Sequence, residues 1–558
     1  MKIDFRLAFH YGLTIFLSAF LLFQVQPMIG KMILPWFGGS ASVWTTCMLF
    51  FQTILLLGYL YSHWVVRFLT PRQQSLLHMT LLATSLLLIP IEPSEAWKPT
   101  GAENPTLRIL GLLTVSIGLP YFVLSTTGPL IQAWFARERS GQVPYRLFAL
   151  SNLGSMLALL AYPLAVEPLL PTRWQSWAWS GLFATFALAC GLLAWRGRNG
   201  KPIVVGHHEK AEPLRLPQML LWIALAACPS ILMVADTSFL TENIAPIPLL
   251  WVAPLALYLL SFILSFEGHG WYQRRIYLPL LVISLFLLAW LPTLGVSEMP
   301  IKLAMGLNLA AFFVACMVCH GELARQQPHP SQLTGYYLTL SIGGALGGFF
   351  VGVVAPYFFN SHYELSIGIL LTGLVAAIAI IPRIAFPKPA LRTATIALCA
   401  LLLAGIGWLR VADHQEEIGG ADALLRNFYG TLTVSSNAEA GWRTMLHGQI
   451  IHGRQYTSPE KSQLPTTYYS PAGGAGKTLL AKTGQGPLRV GVVGIGVGTL
   501  ATYGKPGDYY RLYDIDPLVI DVAQKHFTFL SDTKAKTDII LGDARLQLPI
   551  SRARDVIA

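Results

Sequence analysis

Apolar residues fill the first 410 positions in long blocks broken by short polar turns, whereas after His414 they alternate over a few residues at a time. A block of roughly 18 residues or more reads as a lipid-spanning helix, because the hydrocarbon core needs about that length of helix to cross it. Thirteen such blocks are predicted, near 8–25, 43–66, 74–91, 109–135, 145–165, 176–195, 219–240, 248–266, 276–292, 300–320, 333–355, 363–382 and 391–409. Lys2 and Arg6 precede the first, no small-residue cleavage site follows it, and it reads as an uncleaved span. Short period-two runs, Gly430 to Val434 and Met445 to Gln455, predict a small β-rich unit after the last span.

Composition agrees with the pattern. With 54% hydrophobic residues, 12% charged residues and mean hydropathy +0.53, most of the 558 residues belong in lipid. The net charge of +11 sits largely in loops between apolar blocks, so it orients spans and gives no reason to expect nucleic acid. Strict alternation gathers Lys2, Arg6, Arg67, Arg72, Arg137, Arg139, Arg196, Arg198, Lys201, Arg274, Arg275, Arg325, Arg383, Lys388 and Arg392 on one face. That face is expected to be cytoplasmic with the amino terminus; the same count puts everything after Arg410 on the other, which leaves two alternatives open, that one segment does not cross or that the tail is exported. The six cysteines all lie in apolar segments and imply no disulfide framework.

Two stretches repeat each other, QAWFARERSGQVPYRLFALSNLGSMLALLAYPLAVEPLL and GELARQQPHPSQLTGYYLTLSIGGALGGFFVGVVAPYFF, with six spans between them. An even offset predicts parallel repeats, as in transporters of the major facilitator type. Gly343, Gly344, Gly347 and Gly348 read first as points where helices touch. Asp236, Glu242 and Lys31 are the ionisable residues nearest membrane depth, and each reads as interfacial with water in reach. Cys316 to His320 spells CxxCH but closes an apolar block, so packing cysteines are expected. Ala475 to Thr478 resembles the end of a P-loop without its strand or first glycine, and reads as a flexible loop with a solvated lysine.

The tail carries the densest chemistry. Val490 to Val493 runs into Gly494, Gly496 and Gly498, and a second apolar run ends at Asp514, giving the order strand, glycine turn, helix, strand, acid. Residues without Cβ let the backbone bend tightly and approach a nucleoside, and an acid one strand away can accept both ribose hydroxyls. The GxGxG spacing favours a nucleoside such as S-adenosylmethionine over a pyrophosphate, and an unliganded tight turn is the plainer reading. The layout expected is a membrane domain over 1–410 with two parallel six-helix repeats, a linker over 411–425, a small β-rich lid over 426–485 and a partial nucleoside-binding unit over 486–558.

The strings RNFYGTLTV, LHGQIIHGRQ, PTTYY, VGVVGIGVGTLA, YDIDP and ILGDARL, in this order, resemble the spermidine synthase family, the polyamine aminopropyltransferases, in its bacterial membrane-fused branch. QPMIGKMILPWFGGSASVW and ALSNLGSMLALLAYPLAVEPLL are similar to that branch as well. The resemblance implies an α-helical polytopic membrane domain followed by an α/β domain: a small β lid plus a Rossmann-like methyltransferase fold, truncated at its fourth strand, in a bacterial inner membrane. It implies aminopropyl transfer from decarboxylated S-adenosylmethionine to an amine such as putrescine, with no tightly bound cofactor and no metal. By that resemblance Gly494, Gly496 and Gly498 line the nucleoside of decarboxylated S-adenosylmethionine or S-adenosylmethionine, Asp514 binds ribose, Asp543 holds the adenine amino group and Gln455 faces the substrate, with Tyr468 and Tyr469 beside it. A polyamine or other small amine, the lipid bilayer and a second copy of the chain are the partners implied.

The sequence departs from that family at two places. Attack by an amine on a carbon next to a sulfonium needs a carboxylate to take the amine's proton. Pro465 to Tyr469 offers none where polyamine-making members carry an acidic pair. Asp555 to Ala558 reads as the fourth strand, and the catalytic aspartate would lie beyond Ala558, so no catalytic residue is assigned. Three functions stay open at this point: an aminopropyltransferase completed by further chain or a partner, a transporter of polyamine or another small molecule with a nucleoside-sensing tail, and a catalytically dead nucleoside-binding membrane protein.

Overall fold

The structure, a computed structural model, describes residues 5–99, 103–138, 145–199, 215–244, 247–267, 270–294, 299–328 and 332–550. The expected strand at Asp555 to Ala558 and the loop cations Lys2, Arg139 and Lys201 lie outside the described residues.

Long helices form where the apolar blocks predict them: α1 (Phe5–Ile33), α2 (Ala41–Phe68), α3 (Pro71–Leu86), α4 (Pro105–Glu138), α5 (Tyr145–Ala161), α6 (Thr172–Gly197), α7 (Leu216–Asn243), α8 (Pro248–Glu267), α9 (Arg274–Trp290), α10 (Ile301–Ala324), α11 (Leu333–Phe349), α12 (Tyr363–Ile380) and α13 (Pro389–Gly419). Eleven of the described helices are long and apolar enough to cross a membrane, which makes this a multi-pass membrane protein. The apolar part of α8, Leu250–Phe266, is shorter than the rest, and α3 is more polar. Thr70 starts α3 with a capping box, its hydroxyl accepting from the Gln73 N–H while the Gln73 side chain accepts from the Thr70 N–H.

Each helix from α1 to α6 has a counterpart six helices on that packs against the matching neighbours. α1 lies against α4, α5 and α6 as α7 lies against α10, α11 and α12, and α2 meets α4 as α8 meets α10. Across the seam α2 packs on α11 and α8 packs on α5. The fifth helix of each set even carries the same irregularity, a π-turn at Tyr162–Val166 and another at Phe350–Val354. Close approach explains two of the glycines: a Cβ on Gly343 would come within 2.4 Å of the Ile223 carbonyl on α7, and one on Gly347 within 2.8 Å of Ser230. Gly344, by contrast, has nothing within 4 Å of a Cβ position.

The tail begins later than the sequence suggests. In place of a linker over 411–425, α13 runs on to Gly419, carried out of the apolar region by the i,i+3 pairs Arg410–Asp413 and His414–Glu417. Four antiparallel strands follow in sequence order: β1 (Ala423–Asn427), β2 (Gly430–Asn437), β3 (Trp442–His447) and β4 (Ile450–Tyr456). Ala475 to Thr478, expected as a loop, lies inside helix α14 (Gly474–Lys482), because Leu479 is drawn into the tail's core; Lys477 stays exposed.

A parallel sheet of β5 (Arg489–Val493), β6 (Tyr509–Asp514) and β7 (Lys536–Leu541) completes the tail, with α15 (Pro517–His526) and α16 (Ala544–Ile550). Among the described residues this is a three-stranded sheet, not the methyltransferase-type domain expected. Nor does a full helix follow the glycines: a 3₁₀ turn, Thr499–Tyr503, occupies the crossover, since Gly504 and Pro506–Gly507 leave no room for more before β6. The tail has its own core around Val434, Met445, Val492, Tyr510, Leu512 and Phe529. Phe428, in the β1–β2 turn, packs instead against the core of the helical bundle.

Candidate functional site

A cavity of about 270 Å³ lies on the seam between the two sets of six helices. The first set contributes Ser18, Phe23 and Gln26 of α1, Phe51, Gln52 and Tyr59 of α2, Tyr121, Ser125 and Gln132 of α4, and Asn152 and Ser155 of α5. The second contributes Tyr258 and Phe262 of α8 with Tyr337, Ser341 and Gly344 of α11. Every polar group in this lining is an amide, a hydroxyl or a phenol, and no Asp, Glu, Lys, Arg or His is among the described residues that line it. Gln26 donates from Nε2 to the Tyr121 hydroxyl at 2.9 Å, while its Oε1 is buried without a partner. The Oε1 of Gln52, across the same lining, is likewise buried without a protein partner.

The lining residues lie late in α4 and near the middle of α1, α2 and α8, short of the helix ends that meet the tail. Toward the tail the seam is shut. Trp44 is the fourth residue of α2 and Trp251 the fourth of α8, and these counterparts stack with ring centres 5.0 Å apart and planes 9° from parallel. Both are buried, and a Cβ on Gly30 of α1 would come within 3.2 Å of the Trp44 ring. Thr45 and Ser238 share a hydrogen bond of 2.7 Å across the same seam.

Membrane-depth charges are placed otherwise than the sequence suggests. Asp236 and Glu242 do not have water in reach: Asp236 is wholly buried in α7, accepting from Asn308 Nδ2 at 2.5 Å, and the Glu242 side chain is buried as well. Glu242 ends α7 beneath the tail and accepts from the Thr431 N–H at 2.9 Å and its hydroxyl at 2.6 Å. Lys31 pairs with Glu167 at 2.6 Å, half-buried. Cys316, Cys319 and His320 are buried inside α10, with Ser261 2.9 Å from His320 Nδ1. Among the described residues no cluster of three metal-binding side chains occurs.

In the tail, Gly494, Gly496 and Gly498 have φ of +84°, +56° and +84°, the left-handed region that only glycine enters freely. Asp514, at the end of β6, accepts from the Ile495 N–H at 2.9 Å and the Asp516 N–H at 3.0 Å, so it braces the bend it faces. Burial pushes the Asp514 and Asp516 carboxyls above the ordinary carboxylate range, against the pull of these backbone donors. Asp516 also caps α15 through the Leu518 N–H and accepts from Asn427 Nδ2 at 2.5 Å. Burial, then the nearby Asp516, Asp514 and Asp543, raise the Tyr429 hydroxyl to about 12.

The other tail residues singled out by sequence do not all converge there. Asp543 is held by Arg545, whose guanidinium also donates to the Pro35 carbonyl in the α1–α2 turn. Gln455 is buried and spends both ends of its amide inside the fold: Nε2 donates to Thr528 Oγ1 at 2.8 Å and Oε1 accepts from the Thr528 N–H at 3.0 Å. Tyr468 is exposed and rests against Tyr469, whose carbonyl accepts from the Tyr503 hydroxyl. The Trp44–Trp251 pair and the Glu242 contact went unread in the sequence. The shared fourth position of α2 and α8 was the one signal for the first, and nothing local marks the second.

No family model matches the chain, and no curated relative matches it. Two solved structures of the nucleoside transporter NupG, one of a point mutant, are similar at 12% identity, with TM-scores of 0.42 and 0.44. The matches cover 67% and 68% of this chain and 99% and 98% of the other chains. The resemblance to spermidine synthases is not upheld: no family model and no curated relative answers to the quoted strings.

Proposed function

We propose that this protein is a membrane transporter that carries a small uncharged solute through the seam between two six-helix halves by alternating access. The observation that carries the reading is the cavity itself, lined from both halves and shut at one end by counterpart tryptophans. Equivalent neighbours around each half supply the symmetry such a cycle uses. The lining chooses the solute class. Phenols and phenyl rings offer flat apolar faces, and Gln26, Gln52, Gln132 and Asn152 offer paired donors and acceptors, so an uncharged ring-bearing solute of nucleoside size is favoured. A polyamine is disfavoured, because a di- or tricationic chain would enter with no carboxylate to meet it.

Uptake of radiolabelled uridine, adenosine and putrescine into liposomes holding the full chain tests this. Saturable uptake of a nucleoside is expected, falling about tenfold in Gln26→Leu, equivalent to the ~1.4 kcal/mol of one hydrogen bond. Putrescine uptake in place of nucleoside uptake refutes the solute class, and impermeability to all three refutes the transporter.

A second reading concerns the tail and rests on the three left-handed glycines facing Asp514. The bend takes an adenosine-bearing ligand such as S-adenosylmethionine, with Asp514 toward the ribose and the Tyr429 ring covering it. Calorimetric binding of S-adenosylmethionine or methylthioadenosine that is lost in Asp514→Ala supports it. Silence in the unaltered chain refutes it.

A further inference from the structure

Resting on the transporter reading, we infer that the tail is a lock on the shut end of the transport path, holding the two halves together through the β1–β2 turn. Opening toward the tail requires the ends of α1 and α2 to part from those of α7 and α12, because Trp44 and Trp251 must unstack. The turn is fastened to both sides of that gap. On the second half, Glu242 at the end of α7 takes two hydrogen bonds from Thr431. Beside it Arg426 of β1 grips Glu364 of α12 with two nitrogens at 2.7 and 3.1 Å, and donates to the Ser361 carbonyl at 2.7 Å. The Arg426 and Glu364 side chains are only 8% and 1% exposed, so the pair is sheltered from solvent screening while the tail is docked.

On the first half, the α1–α2 turn is pressed into the same element: a Cβ on Gly38 would stand 3.1 Å from the Tyr429 ring and 3.3 Å from Ile515. Gly38 has φ of +80°, so the turn is fixed in a shape that fits beneath that ring. Farther along, Arg545 reaches the Pro35 carbonyl. Phe428, one residue before Tyr429, is half-buried against the bundle's core. An element docked on one half would ride with it; one fastened to both has to let go of one before the gap widens.

The lock is read without any transported solute. A cysteine in place of Thr45, at the shut end beside Trp44, is exposed to a membrane-impermeant maleimide in liposomes of the full chain with Cys399 replaced by serine. In the otherwise native protein labelling is slow. Arg426→Ala is expected to speed it about tenfold, and Thr431→Val, which keeps shape and removes one hydroxyl, severalfold. Thr431→Val guards against the case in which Arg426→Ala misfolds. Equal labelling in Thr431→Val and native protein overturns the lock. Faster labelling together with impermeability to uridine, adenosine and putrescine alike leaves the lock standing and sinks the transporter instead; uptake with unchanged labelling does the reverse.

Discussion

The two sets of six helices share their neighbours but differ in what they bury. Among the described residues, the first set's buried polar side chains are hydroxyls, amides and His78, whereas the second buries Asp236, Glu322 and Glu364 as well. Each of these acids has a partner: Asn308 for Asp236, Arg274 and Tyr272 for Glu322, Arg426 and His362 for Glu364. Most of the cavity's amides and hydroxyls come from the first set. One architecture thus serves two tasks. The first half supplies most of the neutral polar lining of the cavity, and the second is pinned by buried charges, two of whose ties, at Glu242 and Glu364, lead into the tail.

The largest test of that contrast cuts a tie on the charged side. Arg426→Ala takes away two of the bonds to the Glu364 carboxylate, leaving His362 as its charged neighbour, and should lower the stability of the docked state by about 2–3 kcal/mol. The pair Arg426→Met with Glu364→Leu should lose less; thermal melting of the full chain compares them, and equal losses would deny that the half-paired charge is the cause.

Acidity probes the same place more gently. His362 lies between Glu242 at 2.8 Å and Glu364 at 3.3 Å, with Glu417, Arg426 and the Phe239 ring close by. Burial works against its charge, but the two carboxylates prevail and raise it to about 9. A raised value means the histidine's contribution is whole below its ordinary 6.5 and fades as pH climbs through about 9. Protease sensitivity of the α13–β1 junction should therefore rise over that interval, and Glu242→Gln should flatten the rise.

Between the halves, a double-mutant cycle of Trp44→Leu and Trp251→Leu should return a coupling of about 0.5–1.5 kcal/mol, and the two single changes should cost alike. Unequal single costs would show that the seam is less symmetric than its helix contacts. Smallest of all, breaking the half-exposed Lys31–Glu167 pair in the first half with Glu167→Gln should shift melting by no more than ~1 kcal/mol, against the several lost at Glu364.

Much of this was legible in the sequence, and the part that was not has a physical reason. Apolar block length found every long helix, because lipid forces each span to meet its own backbone bonds. The glycine bend and the acid ending the next strand were readable for the same local reason, since φ above zero leaves its mark in residue type. What escaped depends on long-range meetings. Glu242 and Thr431 are 189 positions apart, and nothing near either says that a strand will arrive over the helix end. Gln455 looked like a substrate contact by its neighbours in sequence, but a partner 73 positions away, Thr528, takes up its amide. Short matching strings in the tail likewise suggested a family that the whole chain does not match.

The π-turns in α5 and α11 give the bundle a property that straight helices lack. Each holds one residue more than the regular ladder needs. That extra residue turns everything after it by about 100° around the axis. Both fifth helices therefore change face partway along: the residues before Tyr162 and Phe350, which include the cavity lining, are out of step with those after Val166 and Val354.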